Sequence, residues 1–75
     1  MTALSALLLE VVAETIRLAR DYERGALSDT DVRARLSAIA HDAHATALEI
    51  ASGTDRKAAV DGFNAALDAR FGKRG

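Results

Sequence analysis

Apolar residues recur along most of the chain at three- and four-residue spacing. Leu4, Leu7, Leu8, Val11, Thr15, Leu18 and Tyr22 form one stripe, and Leu9, Val12, Ile16 and Ala19 form a second beside it. At about 100° per residue, the two stripes cover roughly half the circumference of a helix. Glu10, Glu14, Arg17, Asp21 and Arg24 are read as the polar side. The pattern predicts a first helix over residues 2–24. Its apolar face is wider than one neighbouring helix buries.

Ser28-Asp29-Thr30-Asp31 is a capping signal, with a serine hydroxyl and an aspartate three residues apart. Leu27 and Val32 flank it as a hydrophobic staple. Val32, Leu36, Ile39, Ala43, Ala47 and Ile50 then follow helical spacing, predicting a second helix over residues 29–52. A third is predicted over residues 54–71, with Thr54 as its cap, Asp55 in its first turn and an apolar stripe of Val60, Phe63, Leu67 and Phe71. No proline interrupts these segments; Gly25, Gly53 and Gly72 stand where each ends. Residues 72–75 are expected to fray.

The expected fold is all-α. One domain over residues 1–75 forms a three-helix bundle on a long antiparallel helical hairpin, dimerised through the first helix.

Composition sharpens this picture. The chain has 75 residues, 49% of them hydrophobic and only 4% aromatic, so leucine and alanine must do most of the packing. A core of this size supplies little stability, and small domains often add disulfides, metal or a second chain. Cysteine is absent, which excludes disulfides and thiolate metal sites. A second protein surface is the remaining supplement.

Ten basic residues face eleven acidic ones, giving a net charge of -1 and no overall field for nucleic acid. The apolar start resembles a signal peptide only faintly, lacking a basic leader and carrying Glu10. Glu10 and Glu14 also break any membrane span. The expected location is cytoplasmic.

Four features could carry function. Leu9, Val12 and Ile16 remain on the first helix once Leu4, Leu8, Val11 and Leu18 are assigned to the core, so they are expected to meet another chain. His41, His44 and Leu48 form a strip on the second helix away from its main stripe, a further candidate contact. Two histidines three residues apart can share a metal, but no third ligand accompanies them, so no metal and no cofactor are expected.

Ala58, Gly62, Ala66 and Ala69 are small residues that would permit close approach of another backbone. Arg17, Arg20, Arg24, Arg33 and Arg35 are the only basic grouping that suggests nucleic acid. Asp21, Glu23, Asp29 and Asp31 interleave with them and would repel phosphate.

Nothing supports catalysis: there is no cysteine nucleophile, Gly-x-Ser-x-Gly elbow or phosphate loop. The sequence reads as a non-enzymatic, homo-oligomeric helical interaction module. It would act as a small adaptor, regulator or occluding inhibitor of a larger protein. A nucleic-acid regulator and a weak histidine metal site are the alternatives.

Overall fold

The computed structural model describes residues 1–72. The expectation for the tail beyond Gly72 lies outside the described residues. Three helices are present: α1 (Ala3–Glu23), α2 (Asp29–Ala51) and α3 (Arg56–Phe71). Each packs against both of the others.

The helix ends follow local chemistry. The Thr2 hydroxyl accepts from the Ser5 backbone N–H (3.1 Å) and caps α1. At α2, the Asp31 N–H donates to Ser28 Oγ (3.1 Å) and the Ser28 N–H donates to Asp31 Oδ2 (3.0 Å), closing the expected capping box. The two C-terminal ends match. After α1, the Gly25 N–H bonds to the Tyr22 carbonyl (3.0 Å) and the Ala26 N–H to the Asp21 carbonyl (2.9 Å). After α2, the Gly53 N–H bonds to the Ile50 carbonyl and the Thr54 N–H to the Glu49 carbonyl, both at 3.1 Å. These are Schellman closures, and they need the positive φ that Gly25 (82°) and Gly53 (101°) provide.

The second closure corrects one expectation. Thr54 is not the cap of α3, because its backbone is already used to finish α2. Asp55 caps instead, its Oδ1 accepting from the Ala58 N–H (3.2 Å).

The core is small. Leu7, Leu18, Ile39, Phe63 and Leu67 are buried together, with Val11, Leu27, Val32, Ala43, Ala47, Ile50 and Phe71 packed around them. Phe63, Leu67 and Ala59 are completely inaccessible.

The inward faces of α1 and α2 keep most of the expected stripe residues and add polar ones. On α1 the buried line runs through Leu7, Glu14 and Leu18, so Glu14 lies inside the bundle rather than on the polar side. Leu4, Leu8 and Tyr22, expected in the core, are exposed. Glu14 is seven residues after Leu7 and four before Leu18, so helical geometry places it on their face. Its carboxylate accepts from Arg17 Nη1 (2.5 Å), which makes its burial tolerable. On α2 the fully buried line runs through Ile39, Asp42 and Thr46; Val32, Ala43, Ala47 and Ile50 of the expected stripe pack beside it, and Leu36 alone of that stripe is exposed.

Candidate interaction surface

The α1 flank left outside the bundle is apolar over most of its length. Leu4 is 50% exposed, Leu8 63%, Leu9 55%, Val12 51% and Ile16 46%. Leu4, Leu8, Val12 and Ile16 are each four residues apart and so form a continuous ridge, with Leu9 beside it. Thr15 borders the ridge, and its hydroxyl donates to the Val12 carbonyl (2.9 Å). The expected contact residues Leu9, Val12 and Ile16 thus stand on a broader face that also includes Leu4 and Leu8.

This face continues onto α2. Asn64 of α3 donates to Glu10 (3.4 Å), fixing the side of α1 that meets α3. Leu8 and Val12 lie roughly 160° around the helix from Glu10. On α2, Asp42 is gripped by Arg70 of α3, and Arg35 lies 4.8 Å above the Phe71 ring. Leu36 lies about 100° from Arg35, and Ala40 about 160° from Asp42. Both apolar flanks therefore turn away from α3.

His41, His44 and Leu48 of the α2 strip are all exposed, and His41 also takes part in a contact with α3. Arg70 holds Asp42 with two bonds, Nε to Oδ2 at 2.7 Å and Nη2 to Oδ1 at 2.9 Å. His41 Nδ1 lies 3.2 Å from Asp42 Oδ1 and 3.3 Å from Arg70 Nη2. The guanidinium, and to a lesser extent His41, hold the Asp42 carboxyl below its ordinary value, against the opposing effect of burial. The geometry describes a clamp between α2 and α3. Among the described residues, no group of three or more histidine, aspartate or glutamate side chains is placed to hold a metal ion.

Arg17, Arg20 and Arg24 share one side of α1, while Arg33 and Arg35 lie on opposite sides of α2. Arg17 pairs with Glu14, Arg24 with Asp21 (2.8 Å), and Arg35 stacks on Phe71. Arg20 and Arg33 are exposed. Gly62, in the small-residue run with Ala58, Ala66 and Ala69, is exposed, and a methyl group added there would meet nothing within 4 Å. No close approach within the chain depends on it.

Sequence reading missed the inward Glu14 and the Asp42–Arg70 clamp. Glu14 carried a signal, its helical register with Leu7 and Leu18. The clamp carried none, because its partners are 28 residues apart.

No helix among the described residues is long and apolar enough to cross a membrane. No protein-family model, curated protein or solved structure matches the chain.

Proposed function

We propose that this protein is a non-enzymatic helical interaction module that pairs with a second copy of itself through the outer face of α1. The observation that carries this reading is the exposed line Leu4, Leu8, Leu9, Val12 and Ile16, continued by Leu36. Taken from their fractional exposures, these six side chains present on the order of 600 Å². A monomer's largest apolar patch typically spans about 300–600 Å², so this one is at the upper end. Two such faces together bury at most about 1,200 Å², where the range of stable specific interfaces begins.

The second copy is favoured as occupant by economy. The core is small, no cysteine reinforces it, and a symmetric pair extends it using the same residues twice. A paired module of this kind acts by occupying a surface, as an adaptor, regulator or occluding inhibitor of a larger protein. His44 and Leu48 on α2, both exposed, are the further surface offered to that protein.

Molar mass by chromatography with light scattering tests the pairing. The wild type is expected to run as a dimer, and the double variant Leu9→Glu, Ile16→Glu as a monomer that keeps its helical circular dichroism. A wild-type monomer at micromolar and higher concentration would refute self-association.

A further inference from the structure

Resting on that self-pairing reading, we infer that the two copies lay their α1 helices antiparallel, with the two-fold axis passing between Leu8 and Val12. The exposed ridge itself selects this arrangement. Its apolar members run from Leu4 to Ile16, and the polar residues Arg20 and Glu23 follow on the same outer side of the helix, both exposed.

An antiparallel pair centred between Leu8 and Val12 sets Leu4 against the partner's Ile16 and Leu8 against the partner's Val12. Every large apolar side chain of the ridge then faces another. Arg20 and Glu23 pass beyond the partner's Leu4 and stay in water.

A parallel pair in register gives a different result. It sets Arg20 against the partner's Arg20 and Glu23 against the partner's Glu23, and it aligns the two helix dipoles. Like charges meet at the end of the interface, and nothing on the ridge offsets them. Sliding the helices to separate those charges moves Leu4 or Ile16 off the apolar line and returns it to water.

Leu36 joins the same interface. It lies on the α2 flank that turns away from α3 and is 48% exposed. In the antiparallel pair, Leu36 from each copy borders the partner's α1, and four helices form the joint layer.

The absence of native cysteine makes the arrangement directly readable. The ¹⁵N-labelled Leu4→Cys chain is mixed with unlabelled Ile16→Cys chain and refolded together. The mixture is oxidised mildly, and intact masses then separate mixed from self disulfides. Facing positions on packed helices come within disulfide reach, whereas Leu4 and the partner's Leu4 in an antiparallel pair are about 18 Å apart along the helix axis.

The expected result is mixed disulfide well above the random share, with the pair Leu8→Cys and Val12→Cys behaving the same way. Light scattering on the wild type is run first, to separate two kinds of failure. A monomer there ends the pairing reading itself. A dimer whose disulfides are mainly Leu4 to Leu4 and Ile16 to Ile16 keeps the pairing but overturns the antiparallel arrangement. A dimer forming no disulfide in either mixture places the interface elsewhere and overturns it as well. Circular dichroism of each reduced variant shows that the fold is retained, so a missing cross-link is not a folding defect.

Discussion

Leu67 gives the sharpest test of the core. Its side chain is completely inaccessible and lies with Phe63, Ile39, Leu7 and Leu18, where the three helices meet. Leu67→Ala removes three carbons from this cluster. Loss of burial costs about 2 kcal/mol at roughly 0.8 kcal/mol per methylene. The cavity adds to that, because neighbours relax only partly, giving about 3 kcal/mol in total. A chain of 75 residues is expected to be stable by only about 4–11 kcal/mol, so the variant retains a small margin.

Urea denaturation followed by circular dichroism at fixed protein concentration reads this directly. With a slope of about 1 kcal/mol per molar urea, the midpoint falls by about 3 M. If pairing binds only the folded state, raising the protein concentration tenfold restores about 1.4 kcal/mol per mole of pair. A midpoint within about 0.5 M of wild type would mean that α3 does not bury Leu67 against the other helices, and would refute the packing described. A midpoint independent of concentration in both proteins would detach folding from self-association.

Acid should weaken the fold through the Asp42–Arg70 clamp. The folded carboxyl is held below the ordinary aspartate value of 3.8, so the unfolded chain binds more protons in acid. The clamp's contribution is complete above the unfolded value and is lost as pH falls through the folded one. Asp42→Asn should flatten this acid limb in pH-dependent denaturation; an unchanged limb would assign it to other carboxylates. Ser28→Ala removes one side of the α2 capping box and should cost about 1 kcal/mol, read as a lower urea midpoint. Because Arg17, Arg24 and Arg35 are engaged within the chain, duplex DNA should give no gel shift at low salt, and a salt-sensitive shift would revive the nucleic-acid alternative.

Much of this protein is written locally. The period of apolar residues, the serine-aspartate cap at Ser28 and the glycines at 25, 53 and 72 determine three helices and where they end. These rules act within one or two turns, so the sequence alone carries them. Even the miss at Thr54 was local, since both Thr54 and Asp55 can cap a helix and the closure of α2 chose between them.

What sequence left open was rotation. Half the circumference of α1 is apolar, and any line through it looks like a core stripe. Only the packing of α2 and α3 decides that Leu7, Glu14 and Leu18 turn inward while Leu4, Leu8, Leu9, Val12 and Ile16 turn out. The same holds for Asp42, whose burial depends on an arginine 28 residues away. A charged residue reads as surface until a distant partner neutralises it, and that partner becomes visible only when the helices come together. Sequence determined that α1 has more apolar face than a monomer hides; tertiary structure decided which part of that face remains.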